Sequence, residues 1–240
     1  SLYLYKHHYN LKDAISPQLQ AIFNQGHRVG ELAQDLFPGG VDASPPNHFK
    51  MQESVLKTQA FIANGEPIIY EATFQFNGVL AALDILVKDE DGWKAYEVKS
   101  STSVSDVYIN DAAIQYYTIV NSGIALKDIS IVHINNQYVR EEKLKIDELF
   151  TIESVKDRVL EYLPAIPNKV SRLKSVIKKT SAPDVEIGTH CSKPYVCDFK
   201  GTCWKNIPEY SVFNIANLNA DKKFDYYNKG IVTLDQIELS

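Results

Sequence analysis

Cysteine is scarce in this sequence, with three among 240 residues, all confined to Cys191, Cys197 and Cys203. An odd, clustered set is a poor disulfide framework for a chain of this size, so it suits a metal site or free thiols in a reducing compartment. Long apolar runs are missing too. None approaches the ~20 residues of a bilayer-spanning helix, and the opening SLYLYKHHYN has no apolar secretory stretch. The expected location is the cytoplasm, with no membrane partner. Positive charge is also in deficit: 25 Lys and Arg stand against 30 Asp and Glu, a net charge of -5. Net charge is a whole-molecule sum, however, and phosphate binding needs only a local basic surface. KVSRLKSVIKK offers one, with Lys169, Arg172, Lys174, Lys178 and Lys179 and no acid among them. On charge alone, that segment reads first as a solvated helix face.

What is present is ordinary globular material. A hydrophobic share of 45% with 23% charged residues is enough for one substantial domain, or one with an appendage. Ser16-Pro17 opens a helix through Leu36, whose apolar positions Leu19, Ile22, Phe23, Val29, Leu32, Ala33 and Leu36 form a stripe. FPGGVDASPPN breaks the chain, and a second helix runs from about Phe49 to Ala63 before Asn64-Gly65. Three strand-like runs follow: PIIYEATFQF, VLAALDILVK and WKAYEVKSS. The two-residue turn Asn77-Gly78 joins the first pair and DEDG the second. Next come a helix from roughly Asp111 to Asn121 closed by Gly123, the strand KDISIVHIN, and helices in ESVKDRVLEYL and the basic segment, with Pro164 and Pro167 between them. This order predicts an α/β fold with a mixed central sheet flanked by helices. From Ala182 the composition turns to Cys, Pro, Gly and aromatics, which predicts a core over residues 1–181 and a Cys-rich appendage over 182–240.

The turns also predict a site. If Asn77-Gly78 pairs Phe76 with Val79, Glu71 lies opposite Asp84. If the second turn pairs Lys88 with Trp93, Asp84 lies opposite Glu97. Three carboxylates then stand side by side on one sheet face, with Lys99 two residues beyond Glu97 on the same side. Like charges opposed on a sheet are destabilising, and burying them unpaired costs several kcal/mol each. A divalent cation relieves that cost, because Mg²⁺ and Mn²⁺ prefer oxygen ligands and bridge carboxylates to phosphate. Glu-x-Lys alone is a weak motif, and YEATF could as well turn Glu71 to solvent. An Asp inside LAALDILV in register with Glu97 is less easily read as a solvated edge residue.

The run GVLAALDILVKDEDGWKAYEVKSS resembles the Asp … Glu-x-Lys core of the PD-(D/E)XK nucleases, in particular the RecB-like branch. The resemblance implies a restriction-endonuclease-like αβββαβ core and a divalent-metal-dependent DNA nuclease, more in the manner of an exonuclease, with RNA not excluded. Asp84, Glu97 and the Val98 carbonyl would hold metal, Lys99 would assist catalysis, and Gln115 in DAAIQYY would orient water or phosphate. Where the branch carries a Tyr after that Gln, this chain has Ile119, with Tyr116 and Tyr117 nearby. The branch's first-helix His is replaced by Gly30, with His27 out of register and Glu31 adjacent, which implies fewer metal ligands or a position filled by Glu71. The rival expectation is a non-catalytic module binding nucleic acid or protein.

HCSKPYVCDFKGTCW spaces its thiols C-x5-C-x5-C. Zn²⁺ with His190 as fourth ligand is one expectation. A [4Fe–4S] cluster is the other, and it needs a fourth Cys. RecB-like nucleases with a C-terminal Cys triplet take that Cys from near the N-terminus, here at or before Ser1. A group within that branch is similar over nearly the whole chain, at Leu4–His8, Val29–Gly40, His133–Arg140 and His190–Cys203. Its members often continue into an RNase H-like domain, which implies that this chain is part of something longer.

Overall fold

The computed structural model describes residues 1–237. Its elements in chain order are α1 (Leu2–His7), α2 (Pro17–Gln34), β1 (Val41–Asp42), α3 (Met51–Ala63), β2 (Ile68–Phe76), β3 (Val79–Asp89), β4 (Gly92–Lys99), α4 (Asp106–Asn121), β5 (Leu126–Ile134), α5 (Ile146–Leu149), β6 (Phe150–Ser154), α6 (Lys156–Tyr162), α7 (Ile166–Ile177), α8 (Lys200–Trp204) and α9 (Ala220–Asn228). They fall into two compact units, residues 16–170 and residues 1–15 together with the chain from Ser171 onward.

The larger unit is built on a six-stranded sheet in the order β1-β2-β3-β4-β5-β6. β2, β3 and β4 form an antiparallel meander. β1 joins β2 and β5 joins β4 in parallel, and β6 returns antiparallel to β5. The succession α3-β2-β3-β4-α4-β5 follows the predicted αβββαβ order, in a mixed α/β architecture. Local chemistry explains the meander. Asn77 and Gly78 both take positive φ, 47° and 68°, as a two-residue type I′ hairpin requires, and Phe76 pairs with Val79. At the second turn Lys88 pairs with Trp93, and the ladder runs one step further to Asp89 and Gly92. There the Asp89 carboxylate accepts the N–H groups of Asp91 and Gly92, at 2.9 and 3.2 Å.

Apolar layers cover both faces. Ile69, Leu83, Leu86, Ala95 and Ile131 pack with Ile109, Ala112 and Ile119 of α4, Val159 of α6 and Val170 of α7. Tyr70, Ile85, Val132 and Phe150 pack with Val29 and Ala33 of α2. Each fully buried Leu or Ile contributes roughly 1.5–3 kcal/mol, so the acidic positions described below are mounted on a firm frame.

The structure departs from the sequence reading at several places. α4 begins at Asp106 rather than near Asp111, because buried Ile109 carries the apolar stripe one turn further back. Residues 150–154 form edge strand β6, in which only Phe150 is buried, so no alternation marks it. β1 is two residues long. Pro167 lies within α7 rather than before it, in the first turn where a missing N–H is tolerated. α7 ends at Ile177, so Lys178 and Lys179 lie beyond the helix. The division between units falls at Ser171 rather than at 181/182, since Val170 is the last α7 residue in the sheet core.

The smaller unit also claims residues 1–15, which sequence reading assigned to the core. Asp13 N–H donates to the Asp198 carbonyl at 2.7 Å, the Asp13 carboxylate accepts Gly201 N–H at 2.9 Å, and Thr202 Oγ1 donates to the Leu11 carbonyl at 3.1 Å. Lys12 pairs with Asp198 at 3.1 Å, Tyr5 donates its hydroxyl to the same carboxylate, and the Tyr5 ring meets fully buried Phe199 edge-on. Trp204, Phe213, Phe224 and Tyr227 make a second aromatic cluster.

Candidate active site

Regular pairing breaks where the acids sit. The β2–β3 ladder pairs Tyr70 with Ile85 and Ala72 with Leu83, leaving Glu71 and Asp84 opposed but outside the regular pairs. The β3–β4 ladder stops at Ile85 and Tyr96, one step before Asp84 and Glu97, while β4 continues beside β5 alone. Alternation slips at the same points. Ile69 and Ala72 face one apolar layer and Tyr70 the other; Leu83 and Leu86 face the first and Ile85 the second. Glu71 takes the left-handed conformation, φ 54°, which explains the slip in β2. For a residue with a Cβ this costs roughly 1–2 kcal/mol. Buried hydroxyls from α3 and β2 brace it: Ser54 Oγ and Thr73 Oγ1 are 2.6 Å apart and lie 3.4 and 3.2 Å from the Glu71 carbonyl, and Thr58 Oγ1 accepts Thr73 N–H at 2.9 Å.

In the fork between β3 and β4, the Asp84 carboxylate accepts Val98 N–H at 2.6 Å, replacing a ladder bond. Glu97 is buried. One of its oxygens accepts from Lys99 Nζ at 2.7 Å and the other from Gln115 Nε2 at 2.7 Å. Lys99 Nζ also donates to the Asp111 carboxylate at 2.7 Å and lies 5.4 Å from the Tyr108 ring centroid. Gln115 Nε2 is 3.2 Å from the Ala82 carbonyl, and Gln115 Oε1 is buried with no hydrogen-bond partner.

Electrostatics bind these groups into one system. Burial raises the Asp84 pKa well above the usual carboxylate range, Val98 N–H opposes the rise, and the Glu71 charge adds to it. Burial raises Glu97 further, with Asp84 adding and Lys99 opposing. Glu71 is raised by burial, then by Asp42 and Glu97. For Lys99, burial favours the neutral amine, but Glu97 and Asp111 outweigh it and hold the ammonium charged. The Asp84 charge raises Glu97 while a hydrogen bond from Glu97 lowers Asp84, so the two acids, both out of water, share their titration and favour a nearby positive charge.

The donor set suits a hard cation in kind: carboxylate oxygens and an orphaned amide oxygen able to accept from a bound water. It is thin in number. Among the described residues no group of three or more His, Cys, Asp or Glu side chains is placed to hold a metal ion. The three-carboxylate grip expected from register is therefore not assembled. Glu71 acts on Asp84 and Glu97 through its charge, and its backbone turns out of the pleat.

Asp84, Glu97, Lys99 and Gln115 lie together in the structure. Asp111 and Tyr108 went unread, although their spacing from Gln115 on α4 puts all three on one helical stripe. Tyr116 and Tyr117 pack against the apolar layer, and Ile119 is fully buried within it. Gly30 is half-buried with open space where a side chain would project, while His27 and Glu31 are exposed. His133 is a packed strand residue, as expected. Of the basic set, Lys169 lies in the larger unit and Arg172, Lys174, Lys178 and Lys179 in the smaller, and all but Lys174 are exposed.

The three cysteines are free: Cys191 buried, Cys197 half-buried, Cys203 exposed. Cys197 N–H donates to the Cys191 carbonyl at 2.9 Å. The Cys203 thiol is pushed up by partial burial and then by the charges of Cys191 and Cys197. The thiols are thus electrostatic neighbours. They do not converge on a common point with each other or with His190.

No protein-family model matches the chain, and no curated protein matches it. Among solved structures it is similar to an alkaline exonuclease from Laribacter hongkongensis, at 14% identity and a TM-score of 0.25, over 68% of this chain and 86% of that one. A likeness this slight carries nothing about site or chemistry. Among the described residues no helix is long and apolar enough to cross a membrane.

Proposed function

We propose that the larger unit is a Mg²⁺- or Mn²⁺-dependent phosphodiesterase that degrades DNA, exonucleolytically as the RecB-like resemblance implies. One observation carries this reading. Asp84 and Glu97 meet across the fork of β3 and β4, both pushed toward protonation, with Lys99 seated on Glu97. Asp84, Glu97 and the Val98 carbonyl would hold the cation, with Glu71 adding negative charge close by. When bound, such an ion polarises a phosphodiester and acidifies a water ligand. Lys99 supplies fixed positive charge for the phosphate oxygen as it becomes more negative in the transition state. Gln115 keeps Glu97 oriented through its Nε2 and offers Oε1 to water. Lys169, Arg172, Lys174, Lys178 and Lys179 would bind backbone phosphates without sequence preference and with steep salt dependence.

The test is Mn²⁺-dependent degradation of end-labelled linear duplex DNA, with single-stranded DNA and RNA as parallel substrates. Asp84→Ala and Lys99→Ala should each reduce cleavage by on the order of 10²–10³-fold or more with an unchanged circular dichroism spectrum. Full activity in either variant refutes the assignment.

For the cysteine loop, the proposed occupant is a [4Fe–4S] cluster whose fourth thiolate comes from the amino-terminal side, as the RecB-like resemblance implies. Zn²⁺ with His190 is the alternative. Iron, sulfide and zinc analysis with a visible spectrum, on anaerobically purified protein that includes upstream residues, separates them.

A second functional reading, a module that binds without cutting, is favoured by Gly30 and by Glu97 already being satisfied by Lys99 and Gln115. Under it, gel shifts with DNA persist and no product forms at any Mn²⁺ concentration.

A further inference from the structure

Lys99 is gripped from two directions. Glu97, on its own strand, accepts one N–H of the ammonium at 2.7 Å, and Asp111, on α4, accepts another at 2.7 Å. A lysine ammonium has three donors and no acceptor, so two fixed bonds also set the direction of the third. Tyr108, one turn before Asp111, brings its ring to 5.4 Å from the same nitrogen and closes a further side. Asp111 is not the only anchor of Lys99, because Glu97 already supplies an acceptor. Nor is Asp111 buried: its side chain is 45% exposed, against 20% for Lys99 and 9% for Glu97. An exposed ion pair of this kind adds little to stability. Its geometric consequence is larger. With Glu97 alone, the flexible four-carbon stem of Lys99 could swing about a single anchor; with Asp111 added, the ammonium is tied to a second secondary-structure element.

We propose that Asp111 is a positioning residue that holds the Lys99 ammonium so that its remaining N–H is aimed at the phosphate or attacking water. The aim rests on the nuclease reading of the site; the grip on Lys99 does not. The test therefore has two readouts. In the first, the acylation rate of Lys99 by acetic anhydride, followed by peptide mass spectrometry, is compared between the unaltered chain and Asp111→Asn. The rate should rise several-fold in the variant, while distant lysines such as Lys57 stay unchanged. In the second, Asp111→Asn should lower kcat for Mn²⁺-dependent DNA cleavage roughly ten- to a hundred-fold, as small misplacements of catalytic groups do. KM for DNA and calorimetric Mn²⁺ affinity should stay within about twofold. Asp111→Glu should restore part of kcat, since it returns the carboxylate.

Unchanged Lys99 acylation in Asp111→Asn overturns the proposal whether or not the protein cleaves DNA. A fall in kcat matched by equal falls in Mn²⁺ affinity and melting temperature overturns it too, because Asp111 would then be structural. Faster Lys99 acylation in a protein that cuts no substrate upholds the grip and sinks the nuclease reading instead.

Discussion

The two compact units hold their chemistry by opposite means. In the larger, Asp84, Glu97 and Lys99 sit on neighbouring strands joined by tight turns, with fully buried Leu83, Ile85, Leu86 and Ile131 around them. In the smaller, the cysteine loop is tied by Asp13, Lys12, Leu11 and Tyr5 to a segment nearly the whole sequence away, and its buried apolar residues are few. A site carried by a sheet is organised before any ligand arrives. A loop carried by scattered hydrogen bonds has less buried apolar surface to hold it in place.

This contrast can be broken experimentally. The largest effect is expected from Phe199→Ala. Phe199 is fully buried against Tyr5, and such truncations cost about 3–5 kcal/mol. Limited proteolysis should then cut the smaller unit quickly while the fragment spanning residues 16–170 survives. Joint loss of both units would show that the sheet depends on the loop after all.

A smaller effect is expected from pH. Asp84 and Glu97 have folded-state pKa values raised above the unfolded ones, so above about pH 4 the folded chain binds more protons than the unfolded chain. The metal-free protein should therefore lose stability as pH rises from the ordinary carboxylate range through their raised values. Lys99 is shifted upward, so its contribution is constant across that window. Thermal melts between about pH 5 and pH 8 in a chelator should slope downward, and Asp84→Asn should flatten the slope. Mn²⁺ should raise the melting temperature most at the alkaline end, where its ligands are deprotonated.

The smallest effect belongs to Glu71. Replacing it with Gly removes both a left-handed residue and a crowded carboxylate, so Glu71→Gly should stabilise the metal-free chain by roughly 1 kcal/mol while weakening Mn²⁺ binding. Thermal melts and calorimetry check the two halves. Destabilisation would mean that the brace of Ser54, Thr58 and Thr73 requires the Glu side chain.

Much of the larger unit was legible beforehand because its information is local. Asn-Gly permits one kind of hairpin, and a hairpin dictates register, which is why Asp84 could be placed beside Glu97 by counting. Counting failed at Glu71. A period-two pattern assumes a continuous pleat, and the pleat is interrupted where hydroxyls from another element stabilise an unusual φ. The edge strands were missed because β6 buries only its first residue and β1 is two residues long, so neither carries alternation. Asp111 escaped notice because its importance comes from its partner Lys99, and a helix face by itself does not name its partner.

Sequence alone determined the order of the central elements, the register of the meander and the meeting of Asp84, Glu97 and Lys99, because each follows from residues close together in the chain. Tertiary structure decided the break at Glu71, the second anchor on Lys99 and the fastening of residues 1–15 to the cysteine loop. Those depend on contacts between segments far apart in the chain, whose energies arise only once both surfaces have been taken out of water.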